Sequence, residues 1–269
     1  MVDVPNVKKK TNMSLLKLKE ILDYEMNCRN NSCELSDEKP DPLMVAKRYN
    51  DETIALICAI FAYGNAKQIV KFLNSLDFSI LESSEEKIKQ ELKHHYYRFQ
   101  KPNDVVDIFI ALKRLREVSS IEDIVANEYK KNGNILDGLN SLIENIKNIS
   151  NNSKTQGFDF LVGNKNSNSP HKRYMMYFRW MTRFDSLDMG LWSKIDKSDL
   201  ILPLDTHTFH VCGKLGLLSR KTYDLKAALE ATQSLKKFDK NDPIKYDFAL
   251  YRIGQEKDLD KIIKKITLK

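Results

Sequence analysis

Apolar positions recur at helical spacing along almost the whole chain. DETIALICAIFAYGNAKQIVKFLNSL carries them on both sides of Gly64, and DPLMVAKRY, DVVDIFIALKRLREV, SIEDIVANEYKKN and NILDGLNSLIENIKNI repeat the pattern. Ser120, Asp104 and Asn134 read as helix starts, because short polar side chains can take the unpaired N–H groups of a first turn. Alternation of period two is hard to find, and nine glycines with seven prolines are too few to punctuate many strands. The predicted fold class is therefore all-α. The Asn/Ser-rich piece ISNNSKTQGF, residues 149–158, reads as a surface connection. GNKNSNSPHK, Gly163 to Lys172, reads as a hairpin loop feeding a helix that starts near His171.

Length and charge narrow the class. A chain of 269 residues can bury a substantial core. Length alone leaves one large domain or two intimate lobes; the occurrence of Lys172 and Asp205 on separate segments points to two helical lobes with an active-site cleft between them, one over residues 50–183 and the other built from residues 1–49 and 184–269. The net charge of +7 fits a polyanionic partner, and equally a solvated lysine-rich surface. The N-terminus passes from a polar basic tail into a helical pattern with no apolar leader, and no run approaches the ~20 apolar residues of a membrane span. A soluble, cytoplasmic monomer is expected, nucleoid-associated in a bacterium. Cys28, Cys33, Cys58 and Cys212 have neither CxxC nor cluster spacing, so neither a disulfide framework nor an iron–sulfur centre is expected. His207 and His210 share a helix face, but two ligands without a third do not make a metal site. No metal or other cofactor is expected.

Two stretches carry the candidate chemistry. SPHKRYMMYFRWMTRF, Ser169 to Phe184, holds four cationic residues and no carboxylate, in a chain with thirty-seven acids. On a helix from Lys172, residues Lys172, Met176, Arg179 and Arg183 fall within about 60° of one another. That face is cationic, either as a wet stripe or as a nucleic-acid contact. The Asn/Ser/Gly loop before it suits a phosphate. LPLDTHTFHVCGKLGLL, Leu202 to Leu218, places Asp205 at a helix start, with Gly216 as terminator. Delivered at the end of the apolar run LILPL, this carboxylate is partly desolvated and more potent toward a developing positive charge. In YDFALYRIG, Asp247 and Tyr251 are four apart and share a face, one an acceptor and the other a stacking surface.

LPLDTHTFHVCGKLGLL resembles the aspartate segment of the helix-hairpin-helix DNA glycosylases. HKRYMMYFRWM together with LDTHTFHV is more similar still to the archaeal 8-oxoguanine glycosylase branch and its bacterial relatives. The resemblance covers Ser169 to Leu218 and extends over RYNDETIALICAIFAYGNAKQI and NDPIKYDFALYRIG. It departs from the family where GNKNSNSP replaces the usual Gly-any-Gly hairpin.

The resemblance implies a bifunctional glycosylase and abasic-site lyase of base-excision repair. Lys172 would be the nucleophile that attacks C1′ and forms a Schiff base, and Asp205 would stabilise the oxocarbenium-like sugar. Asp247, Tyr251 and Met176 would hold the flipped base, 8-oxoguanine, with Met176 at the position where the archaeal branch has an aromatic. Lys165, Arg173, Arg179 and Arg183 would contact the backbone of double-stranded DNA carrying the damaged base. A glycosylase for another damaged base, a catalytically silent DNA-binding module and an unrelated helical interaction protein are the alternatives.

Overall fold

Most helices begin where a short polar side chain accepts an unpaired first-turn N–H, in a computed structural model that describes residues 15–150 and 155–267. The basic N-terminal tail and the centre of the 149–158 connection lie outside the described residues. Fourteen α-helices are present among the described residues. They are α1 Leu15–Arg29, α2 Pro42–Tyr49, α3 Glu52–Ile60, α4 Ala66–Asn74, α5 Glu85–Leu92, α6 Pro102–Val118 and α7 Ile121–Asn132. After these come α8 Ile135–Ile149, α9 Gln156–Val162, α10 Lys172–Thr182, α11 Thr206–Leu215, α12 Leu225–Lys236, α13 Asp247–Gln255 and α14 Leu259–Thr267. The fold is all-α. Among the described residues the only strand-like pairings are two isolated bridges, Tyr97 with Gln100 and Phe184 with Met189.

Local chemistry accounts for the boundaries. Ser120 caps α7 and Asn134 caps α8 through their side chains. Asp104 does not start a helix. Pro102 occupies the first turn of α6, where its missing N–H costs nothing, and Asp104 reaches back from the third position to accept the Lys101 N–H at 2.7 Å. The long apolar stretch around Gly64 is two helices rather than one. Between α3 and α4 the chain turns at Gly64 with φ +101°, a conformation that disfavours any side chain, and Asn65 then caps α4.

Buried apolar side chains form one contiguous cluster. Around it α2 packs on α3 and α4, α3 on α6 and α10, and α6 on α5, α8 and α9. Helices α7 and α8 fold back on each other across Gly133. At the other end of the chain α11 packs on α12 and α13, and α1 on α13 and α14. The boundary expected at residue 50 thus runs between two helices, α2 and α3, that pack together.

The α7–α8 contact depends on a glycine. A Cβ at Gly138 would lie 2.6 Å from the Val125 carbonyl oxygen, a backbone atom that cannot swing aside. Gly138→Ala gains about 1 kcal/mol of helix propensity but must push two helices apart. A net loss of up to ~2 kcal/mol is expected, read from the urea midpoint; a more stable variant would show that the helices are not this close.

Candidate active site

Helix α10 is fixed from its apolar side. Tyr177 donates to the Glu52 carbonyl oxygen at 3.1 Å, and Tyr174 to the Val162 carbonyl oxygen at 2.8 Å. The Glu52 carboxylate accepts Trp192 Nε1 at 2.7 Å and also caps α7 through the N–H groups of Ile121 and Glu122. With that side anchored, Lys172, Met176 and Arg179 face a cavity. The residues after α10 fold back on it, with the Met189 and Gly190 N–H groups donating to the Trp180 carbonyl oxygen.

The second wall comes from the buried run Leu200 to Leu204. It is held by the Leu202 N–H on Thr232 Oγ1 at 3.0 Å and by the Tyr223 hydroxyl on the Leu204 carbonyl oxygen at 2.9 Å. The run ends at Asp205, which is the N-cap of α11 and accepts the Thr208 N–H at 2.8 Å through Oδ1. One oxygen therefore serves the helix, and its other oxygen has no hydrogen-bond partner among the described residues. Helix α13 closes the site with Asp247, Phe248 and Tyr251.

Lys172, Asp205, Met176, Asp247 and Tyr251 thus line one narrow cavity of about 20 Å³, together with Asp41, Arg179, Trp180, Pro203 and Phe248. That space holds about one water and is far below the ~300–1,000 Å³ typical of small-molecule pockets. Beside it lies a wider cleft of about 570 Å³ that Lys172, Asp205, Met176 and Tyr251 also line, along with Tyr63, Asn65 and His207.

Lys172 is half-buried and makes no hydrogen bond or ion pair among the described residues; its Nζ lies 5.8 Å from the centre of the Tyr251 ring. Burial pushes Asp247 up to about 6, against the pull of Arg179 and then Lys172. One Asp247 oxygen accepts Arg179, and its other oxygen has no partner among the described residues. Such a site combines a lysine amine, carboxylates with a free oxygen each, and apolar walls.

The cationic stripe is not a solvent-facing surface. Arg179 is 3 % exposed and pairs with Asp188 and Asp247; Arg183 is 8 % exposed and pairs with Asp185, Asp188 and Asp242. Neither can neutralise a phosphate, which corrects their assignment to the DNA backbone. Arg173 is also engaged inward. Its guanidinium donates to the carbonyl oxygens of Ile60 and Phe160 and lies over the rings of Tyr63 and Phe160. Only Lys165 of the four is solvent-exposed, and it pairs with Glu144 at 2.7 Å.

Asp41, Trp180 and Phe248 are site residues that sequence reasoning missed. Asp41 was legible only as the cap of α2, whose Leu43 N–H it accepts at 2.9 Å. Nothing in its local pattern ties it to α10 or α13. His207 and His210 lie exposed on α11, and among the described residues no group of three or more His, Cys, Asp or Glu side chains could hold a metal ion. Among the described residues no helix is long and apolar enough to cross a membrane.

A family model described as "Protein of unknown function (DUF2400)" matches residues 41–256. No curated protein and no solved structure matches the chain.

Burial separates the cations by their stability cost. Arg183→Ala leaves Asp188 and Asp242 short of a partner and is expected to cost ~3–5 kcal/mol. Lys165→Ala breaks an exposed pair worth ~0–1 kcal/mol. Chemical denaturation of both variants checks this, and equal small losses would place Arg183 at the surface.

Proposed function

We propose that the chain, which belongs to the DUF2400 family, is a DNA glycosylase with abasic-site lyase activity that removes 8-oxoguanine from duplex DNA. The observation that carries the reading is the meeting of Lys172, unpaired among the described residues, with Asp205 on the wall of one cleft that has room for a purine. On this reading α9, the loop at 163–171 and α10 form a helix-hairpin-helix-like element. The cleft lies between a lobe of residues 50–183 and a lobe of residues 1–49 and 184–269. The two packing groups, α2 to α10 and α1 with α11 to α14, support that division, except that α2 would go with the first lobe. The protein acts as a monomer without cofactor.

A base inside a duplex is out of reach, so the nucleotide must be flipped into the cleft at a cost of a few kcal/mol. Tyr251 and Met176 cover the faces of the flipped purine, recovering part of that cost. The lone pair of Lys172 Nζ attacks C1′ as the glycosidic bond breaks, and the bonding electrons leave with the base, which takes up a proton. The free oxygen of Asp205 stabilises positive charge on the sugar as it develops. The C1′ amine adduct opens the sugar ring to an iminium ion. Loss of a C2′ proton then expels the 3′ phosphate, cutting the strand, and water releases the lysine.

The choice of base rests on Asp247. Oxidised guanine carries a proton on N7 where guanine has a lone pair, so a buried acceptor favours the lesion. The unpartnered Asp247 oxygen is such an acceptor. Normal guanine would set a lone pair against it and leave a buried group unsatisfied.

Lys172→Gln should abolish both base release and the borohydride-trapped adduct while duplex binding survives. Asp205→Asn should slow base release by about 10²–10⁴-fold. A trapped adduct forming at the wild-type rate in Lys172→Gln would assign the nucleophile to another amine. Duplex binding without any adduct, across a panel of damaged bases, would identify a silent DNA-binding module instead.

Among 8-oxoguanine, uracil, thymine glycol and alkylated purines, 8-oxoguanine should be released fastest. Asp247→Ala should weaken that release more than cleavage at a preformed abasic site. Release confined to oxidised pyrimidines or alkylated bases would overturn the specificity and leave the lysine chemistry standing.

A further inference from the structure

We infer that Arg179 and Asp188 are a buried positioning pair that fixes which oxygen of Asp247 faces the cavity and the charge that oxygen presents to a ligand. The part concerning a ligand rests on the glycosylase reading; the electrostatic part stands on the fold alone. Arg179 spans the two acids. Its Nε and Nη2 reach Asp188 Oδ1 at 3.1 and 3.0 Å, and its Nη1 donates to Asp247 Oδ2. Asp188 is held in turn by Arg183, which Asp242 braces at 2.9 Å. Arg179 lies within hydrogen-bond reach of a single oxygen of Asp247, so Asp247 Oδ1 is the acceptor left over.

The arrangement does more than neutralise a buried guanidinium. Asp188 has no side-chain exposure and lines no wall of the Lys172 cavity, whereas Asp247 does. Arg179 is thus anchored from behind by an acid that a ligand in that cavity does not meet, and its planar fork fixes the orientation of the acid that a ligand does meet. Burial pushes Asp188 upward, with both guanidiniums opposing it.

The charges around Asp247 are few. Helix α10 contributes Arg179 and Lys172, and the segment before α11 contributes Asp205. Helix α11 adds the buried Cys212 thiol, and Tyr251 and Asp41 line the same cavity. With its proton affinity near pH 6, Asp247 is an ionised acceptor at neutral pH and loses that role as pH falls through 6.

Two variants then act in opposite directions. Asp188→Asn removes the anion that offsets Arg179, so Arg179 holds Asp247 ionised to lower pH, and its midpoint falls by about one unit. Arg179→Gln removes the cation itself, and the midpoint rises by about one unit or more. Arg179→Lys keeps the charge and stays near the wild-type value. A purely structural role would destabilise all of these variants and shift none in opposed directions.

The test is a ¹³C-carboxyl NMR titration of the full chain labelled at aspartate, with the Asp247 signal assigned by its loss in Asp247→Asn. Opposed shifts in Asp188→Asn and Arg179→Gln support the pair. Should Arg179→Gln fail to fold, a lowered midpoint in Asp188→Asn with an unmoved one in Arg179→Lys carries the same weight. An unchanged Asp247 midpoint in Asp188→Asn overturns the inference. In parallel, 8-oxoguanine release should lose activity on the acid side with the midpoint of each variant, while cleavage of a preformed abasic duplex should not follow it. A wild-type protein that releases no base from any duplex would defeat the glycosylase reading, and the titration would still decide the pair.

Discussion

Burying the Arg179 guanidinium is the constraint from which the geometry of the cavity follows. A cation removed from water costs several kcal/mol unless carboxylates meet it with good geometry. Here Asp188 and Asp247 meet it from two sides. Satisfying both fixes the loop after α10 and the start of α13 against the same helix. The cavity that Lys172 shares with Asp247 is a by-product of that requirement. Such a network is weak evidence for stability, since well-packed apolar side chains of similar volume often do as well. Its use here is orientation.

Lys172 stands out against this background. The arginines of its helix are consumed by carboxylates or backbone carbonyls, whereas the lysine at the first turn of α10 lies beside the Tyr251 ring and makes no hydrogen bond or ion pair among the described residues. An aromatic face offers a cation roughly 0.5–2 kcal/mol, less than a buried carboxylate partner offers. A half-buried amine left so nearly alone fits a group kept for chemistry. Asp205 is divided in the same sense, one oxygen committed to the Thr208 N–H and the other without a partner among the described residues. The helix cap and the candidate stabiliser of a sugar cation are thus the same carboxylate, so the electrostatics of the site are built into a secondary-structure boundary.

On the proposed reading, phosphate contact has to come from cations other than those of the α10 stripe. Arg179 and Arg183 are neutralised in place, and Arg173 is turned toward carbonyl oxygens. The +7 balance of the whole chain leaves cations elsewhere for that task. His207 lines the wide cleft beside Asp205, and it also lines a separate groove with Lys214 of α11 and Lys257, which follows α13.

The helices, the caps at Ser120, Asn134 and Asp205, and the shared face of Lys172, Met176 and Arg179 were legible in sequence. Each is decided by residues within a few positions of one another, through side-chain capping, glycine conformation and the 3.6-residue period. The resemblance added the pairing of Lys172 with Asp205, which no local rule supplies. Tertiary structure decided whether the cationic stripe faces water. The stretch from Ser169 to Phe184 holds no acid because its acids lie further along, at Asp185, Asp188, Asp242 and Asp247, and only folding returns them to it. It also brought Asp41 and Phe248 to the cavity. Periodicity along a helix says which residues share a face. What that face meets depends on segments distant in the chain, and the sign of their charge determines whether an arginine binds a phosphate or an aspartate.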